Sequence, residues 1–324
     1  MLSLITDNYV QETLINPLND GADSLSIISG YATPSMASWY IKTLEEMQLP
    51  LSNFDLTLGM ASYDGLTEAV HNGFKSIHGK TFTSVSQFTC SYVFENPPVG
   101  SNLYLWRKDG EPTKAFVGSA NFLQKAFLSG RRELLEFCDP QEALDYYNQV
   151  IDSSMYCTHN DIEDNIIIRP NHPILDEDSM PLTNLEGDGI ASVRLSLLSR
   201  NGEVGVRSGL NWGQRNNRNR NEAYIPLCRS IASTDFFPKN KQHFMVVTDD
   251  GKSLLLRIEQ QNDKAITTPL SNAQLGEYFR NRLELANGEF ITKEHLLAYG
   301  RTDVVFYKID EEQYFMDFSP HPAI

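Results

Sequence analysis

The sequence predicts an α/β domain followed by a smaller β-rich domain, and three observations carry this. Strand-like apolar runs alternate with helical periodicity up to residue 157. Residues 158–190 then lose all period, turn acidic and carry three prolines, which suits a linker. Beyond them short strands broken by turn signals dominate, as in a small barrel or pseudobarrel. We therefore expect domains at 1–160 and 191–324 with a linker at 161–190.

The elements follow in order. SLSIISGYA (24–32) reads as a buried strand, and PSMASWYIKTLEEMQ (34–48) as a helix with Pro34 in its first turn. FDLTLGMA (54–61) and DGLTEAVHNGFKSIH (64–78) repeat the strand–helix unit. FTCSYVF (88–94), LYLW (103–106) and KAFVGS (114–119) are strands, and Asp109-Gly110 signals a hairpin between the last two. NFLQKAFLSG (121–130) and QEALDYYNQVIDSSMYC (141–157) read as helices. In the second domain, strands are expected at 191–198, 243–250, 253–260, 303–309 and 313–318, and helices at 272–285 and 293–300.

The chain has 324 residues, enough for two domains, and ordinary apolar and charged fractions of 41% and 21%. It has no apolar run long enough for a membrane span and no signal-peptide pattern at its N-terminus, so a cytoplasmic protein is expected. Cys90, Cys138, Cys157 and Cys228 form no metal-like spacing and read as reduced thiols. No cofactor or metal is implied.

The net charge of −15 hides a division. Residues 1–190 hold 10 Lys+Arg against 26 Asp+Glu, whereas residues 191–324 hold 17 against 16. Arg200, Arg207, Arg215, Arg218, Arg220 and Arg229 face only Glu203 and Glu222 within 200–229. Phosphate binding depends on local potential more than on net charge, so the second domain is the candidate for a nucleic-acid partner.

Two stretches carry the chemistry. VGSANF (117–122) closes a strand, so Ser119 and Asn121 project from its end, where donors can meet an anion such as a phosphate. With a helix opening at once, its free amides would add to them; the plain alternative is a turn with Ser and Asn as caps. GLNWGQRNNRNRNEAYIPL (209–227) is dense in Arg, Asn and Gln, the side chains that pair bidentately with guanine and adenine edges. A solvated loop is the plain alternative there.

The run from LYLW through the hairpin to AFVGSANF, followed by RRELLEF (131–137), resembles the phospholipase D-like nuclease domain of NgoFVII-type restriction endonucleases, relatives of BfiI. GLNWGQR, NEAYIPL, FFP (236–238), TDDG (248–251), KAITT (264–268), LGEYFRNRL (275–283) and YGRTDVVFYKI (299–309) resemble the same family's C-terminal DNA-binding pseudobarrel. The resemblance implies a Type II site-specific endonuclease that hydrolyses duplex DNA without metal. A histidine attacks phosphorus, a lysine and an asparagine hold the phosphoryl oxygens, and a glutamate orients the histidine. It also implies a homodimer, because one motif copy from each subunit makes a single site. A neutral imidazole suits an anionic substrate, and a cation with amide donors suits the charge that develops on the oxygens.

On this pattern Ser119, Asn121 and Glu133 match, with Glu136 as a substitute for the acid. The His-x-Lys position falls on Gly100-Ser101-Asn102, which supplies neither nucleophile nor cation. His78-Gly79-Lys80 has the right spelling, but the hairpin register favours 100–102. The chain is then a member disabled by nature or by alteration, and a non-catalytic sequence-specific DNA-binding dimer is the alternative. Lipid hydrolysis is poorly supported, with one motif copy and no membrane-facing surface.

The family grips the major groove with two arms. The first is placed on Asn211, Trp212, Gln214, Arg215, Arg218 and Arg220, the second on Gln260, Gln261, Asn262 and Lys264. Arg280, Arg282 and Arg301 either contact phosphates or pair with Glu277, Glu284 and Asp303, the pairing being favoured. TDDG reads as a hairpin turn. His71 and His159 read as surface or linker residues.

Overall fold

The structure, a computed structural model, describes residues 4–169, 190–259 and 264–320. It divides into two compact units, Met1–Asn171 and His172–Ile324. No helix among the described residues is long and apolar enough to cross a membrane.

The first unit is built on one mixed sheet of eight strands. In chain order these are β1 (Leu4–Ile5), β2 (Ser24–Ser29), β3 (Leu51–Leu58), β4 (Val85–Val93), β5 (Asn102–Lys108), β6 (Glu111–Gly118), β7 (Leu135–Cys138) and β8 (Ser154–Tyr156). They lie in the order β1-β7-β6-β5-β2-β3-β4-β8. β2, β3 and β4 run parallel, each crossover carrying a helix, α1 (Pro34–Met47) or α2 (Glu68–Ile77). The remaining pairings are antiparallel. Thr33 and Thr67 cap α1 and α2 through their hydroxyls, which satisfies one free amide in each. The β5–β6 hairpin turns at Asp109 and Gly110, both at positive φ (52° and 90°), the geometry that Asp-Gly favours.

Side chains alternate across these strands, so the sheet has two unlike faces. Phe54, Leu56 and Leu58 of β3 and Phe88 and Tyr92 of β4 are buried on one face, where Tyr40 of α1 packs edge-on against Phe54. On the other face, α3 (Pro140–Asp152) covers Ile28, Leu103, Leu105 and Ala115 with Ala143, Tyr147 and Val150. The β3–β4 half of that face carries Asp55, Thr57, Thr89 and Ser91 instead. Residues 161–169, read from sequence as linker, send Ile162 and Ile166 into the interior, and Ile168 pairs in parallel with Leu66.

The second unit is a nearly closed sheet of seven strands. They are β9 (Ser192–Ser196), β10 (Ile225–Pro226), β11 (His243–Thr248), β12 (Ser253–Glu259), β13 (Ala265–Thr267), β14 (Asp303–Lys308) and β15 (Gln313–Asp317), in the order β9-β14-β15-β11-β12-β13-β10. The edge strands β9 and β10 approach each other, which gives the barrel-like form. β10 and β13 escape the sequence reading because two or three residues show no period. Phe244, Leu256, Phe279, Phe306 and Tyr314 fill the interior, helped by α4 (Ala273–Arg282) and α5 (Lys293–Tyr299).

Three expectations are corrected. The helix expected over 121–130 shrinks to Gln124–Phe127, because Ala32 bridges Phe122 and keeps the chain extended past Asn121. No helix N-terminus therefore stands behind Asn121. The helix expected over 141–157 ends at Asp152, and its tail becomes β8, which finishes the sheet beside β4. His71 is 4% exposed, packed beside the Tyr92 hydroxyl at 3.3 Å, and burial lowers its pKa to about 4.

Candidate active site and DNA-binding arm

The strand register brings the expected catalytic positions together. Asn102 opens β5 directly opposite Gly118, the end of β6. Both lie beside the carboxyl ends of the parallel strands β2 and β3, where crossovers diverge and ligands commonly bind in α/β sheets. Three glycines allow close approach of the backbone here. A Cβ at Gly59 would meet the Val99 carbonyl at 1.9 Å, and one at Gly118 would meet that of Leu134 at 1.9 Å. One at Gly30 would sit 3.2 Å from the Asn121 carboxamide and 3.3 Å from the Gly100 carbonyl. Gly100 is different: it is exposed, and a Cβ there would touch only Met60, at 3.9 Å. A side chain fits at 100.

Asn102 is committed to its surroundings. It is 3% exposed, its Oδ1 lies 3.0 Å from the Ser29 hydroxyl and accepts from the Gly30 amide at 3.2 Å, and its Nδ2 donates to the Gly118 carbonyl. Ser29 also accepts from the Phe122 amide at 2.9 Å. Asn121 accepts from the Tyr31 amide at 2.9 Å. Tyr31 in turn donates to Asp64 at 2.5 Å, and that bond raises its pKa. Ser119 donates to Glu133 Oε2 at 2.5 Å and accepts from the Leu134 amide. Arg131 pairs with the other carboxylate oxygen at 3.3 Å, and Tyr9 bonds the Glu133 backbone on both sides. Glu136 sits on β7 opposite Val117. Sequence reasoning missed Ser29, Gly30 and Tyr31; the Ser-Gly-Tyr that ends β2 was the available signal.

His78 does not reach this place. Its Nδ1 accepts from the Cys90 amide on β4, and burial lowers its pKa. Strands β5, β2 and β3 lie between β4 and the Gly118 strand, roughly 19 Å at about 4.8 Å per strand.

In the second unit the expected first arm separates into layers. Asn211 is fully buried: its Nδ2 donates to the Ile291 and Gly205 carbonyls, and its Oδ1 accepts from the Ile291 amide. It is scaffold and leaves the set of base-reading candidates. Gln214 is half-buried, donating to the Gly288 carbonyl and accepting from Arg220 at 2.6 Å. Trp212 packs edge-on against Tyr224 and carries the Arg218 guanidinium 4.0 Å over its ring. Arg218 also pairs with Glu222 at 2.5 Å, and Arg215 donates to the Arg207 carbonyl. Arg215, Arg218 and Arg220 are exposed. Gly213 and Gly288 admit the close loop contacts, since a Cβ at 213 would meet the Asn219 carbonyl at 2.2 Å and one at 288 would meet Arg220 at 2.8 Å. Of the second arm, Lys264 is exposed at the start of β13, and Gln260, Gln261 and Asn262 lie outside the described residues.

The other three arginines are structural. Arg280 is buried on the Glu289 and Gly276 carbonyls. Arg282 forks onto Asp249 and reaches Asp250, so the TDDG turn of β11–β12 is held by an ion pair. Arg301 is 2% exposed and pairs with Asp303 and Asp317.

A mixed sheet flanked by helices, with Ser119, Asn121 and Glu133 at one strand end, followed by a barrel-like sheet with an arginine-rich arm, defines a phospholipase D-like nuclease domain joined to a B3-like DNA-binding domain. Residues 7–164 match the NgoFVII restriction endonuclease N-terminal PLD domain, and residues 185–310 match the NgoFVII C-terminal B3-like DNA-binding domain. Together the matches span most of the chain in the family's order, and the chain belongs to the NgoFVII restriction endonuclease family. Among solved structures it is similar to NucT from Helicobacter pylori, at 17% identity over 48% of this chain and 98% of that one, with a TM-score of 0.32. It is also similar to the phospholipase D family member Nuc from Salmonella typhimurium, at 9% identity over 48% and 95%, with a TM-score of 0.33. Polyphosphate kinase from Porphyromonas gingivalis follows at 13% identity over 58% of this chain and 28% of that one, TM-score 0.33. No curated protein matches by sequence.

Proposed function

We propose that the chain descends from a Type II, metal-independent, site-specific endonuclease and now binds a short duplex sequence as a homodimer without cutting it. The observation that carries this is Asn102. A phosphoryl-transfer site of this kind needs a nucleophile and a cation beside the Gly-Ser-x-Asn strand end. Gly100 lacks the first. At 102 an uncharged carboxamide stands, and its oxygen accepts from the Gly30 amide. A lysine has no acceptor and could not replace that bond. In this reading Asn121 is the group that would hold a phosphoryl oxygen and Glu133, now bonded to Ser119 and Arg131, the one that would orient an imidazole at 100. In the other domain Arg215, Arg218, Arg220 and Lys264 supply the charge for a major-groove contact, with Trp212 and Gln214 shaping the arm.

The test is restoration. Gly100→His/Asn102→Lys, shown to be folded and dimeric, is incubated with plasmid in EDTA beside the native chain. Cleavage by the restored protein alone supports the reading. Cleavage by the native chain in EDTA, or none by the folded restored dimer, contradicts it.

A further inference from the structure

We propose that the N-terminal domain holds a second site, distinct from the phosphodiester site, that binds a small phosphate-free molecule carrying a vicinal diol and a planar apolar part, a nucleoside in size and character. The site is a cavity of about 750 Å³ on the α3 side of the sheet. It exists because the apolar contacts of α3 fall on β2, β5, β6 and Val93 at the end of β4, whereas Asp55, Thr57, Thr89 and Ser91 of β3 and β4 are polar and face the cavity beside Tyr147, Ile151 and Asp152.

The floor is made of register mates. Asp55 lies opposite Thr89 and Thr57 opposite Ser91. Thr89 donates to Asp55 at 2.6 Å, and Arg107 approaches the other Asp55 oxygen at 3.4 Å. That carboxylate is thereby neutralised and still has lone pairs to offer. Thr57 and Ser91 are 1% and 6% exposed and line the cavity. Arg107 Nε is buried and unpartnered. A buried guanidinium N–H without a partner is costly. Paired hydroxyls on a ligand would engage these groups, donating to Asp55 and accepting from Thr57, Ser91 or Arg107.

The walls set the rest of the ligand. Ile151, Met155 and Tyr156 give an apolar and aromatic flank, and Tyr156, whose ring also meets that of His78 at 5.2 Å, is 55% exposed and offers area to a planar ring. Asp152 and Asp161 stand on the rim, with His159 near Asp161 at 3.8 Å. Net negative charge at the mouth repels phosphates and carboxylates. The ligand is therefore neutral or cationic, and a nucleotide is disfavoured against its nucleoside.

The full-length protein is titrated by calorimetry with adenosine, 2′,3′-dideoxyadenosine and adenosine monophosphate. Saturable adenosine binding is expected, weakened at least tenfold by removal of the diol and at least threefold by the phosphate. Thr57→Val, which keeps the side-chain shape, should weaken adenosine binding about tenfold with an unchanged circular-dichroism spectrum. If that variant misfolds, the exposed Tyr156→Ala replaces it and should weaken binding about fivefold. Absence of saturable binding up to millimolar adenosine, equal binding of the dideoxy compound, or tighter binding of the monophosphate would overturn the proposal. None of these results depends on whether the chain cuts DNA.

Discussion

The two working regions of the molecule use polar side chains in opposite ways. At the strand ends of the first domain, Asn102 and Ser119 are spent on internal bonds: Asn102 on Ser29, Gly30 and Gly118, Ser119 on Glu133 and Leu134. In the arm of the second domain, Asn211 and Gln214 are spent in that manner, and they anchor a loop whose arginines remain at the surface. One region is a cradle that holds itself together, and the other is a rigid mount for exposed charge. The difference teaches that polar composition does not identify a site; what matters is whether the polar atoms are already satisfied.

The comparison breaks most visibly at Asn211. Asn211→Ala leaves the Ile291 amide and carbonyl without their buried partner and should cost about 3 kcal/mol of second-domain stability. Thermal denaturation should show that loss, and an unchanged midpoint would return Asn211 to the reading surface. Asn102→Ala orphans the Gly30 amide and should cost about 2 kcal/mol in the first domain. Urea titration measures it, and a loss below about 0.5 kcal/mol would deny the staple.

Arg215→Ala should weaken specific binding by about 1–3 kcal/mol if it reads a guanine. Equal losses on specific and random duplexes would make it a phosphate contact. His71 supplies a pH test. Its folded pKa of about 4 lies below the ordinary 6.5, so its contribution is complete above pH 6.5 and is lost as pH falls from there towards 4. The loss should be on the order of 2 kcal/mol, and His71→Gln should flatten stability across that window. The smallest effect belongs to Glu222→Gln, which removes the partner of Arg218 at the surface and should change stability by about 0.5 kcal/mol. It should also steepen the salt dependence of DNA binding if the freed guanidinium takes a phosphate.

The long strands and their order of appearance were legible, because FDLTL, LYLW and FMVVT carry burial in their composition; the short strands β1, β7, β8, β10 and β13 were not. The meeting of 100–102 with 118–121 was legible too, because Asp109-Gly110 fixes the hairpin and the hairpin fixes the register. What escaped was set by tertiary contact. The Phe122 bridge to Ala32 overrode helical spacing in NFLQKAF, and Ile291 drew Asn211 inward. The polar β3–β4 face was visible as Asp55, Thr57, Thr89 and Ser91, but that α3 would stop short of it was not.

The central claim is a chain that reads duplex DNA and leaves it whole. Its most direct test is selection of bound sequences from a random duplex pool by the full-length protein, with recovered strands resolved on a denaturing gel after incubation in EDTA. One enriched motif on strands of undiminished length is predicted. Cut strands, or a pool that emerges with no sequence preference, would contradict it.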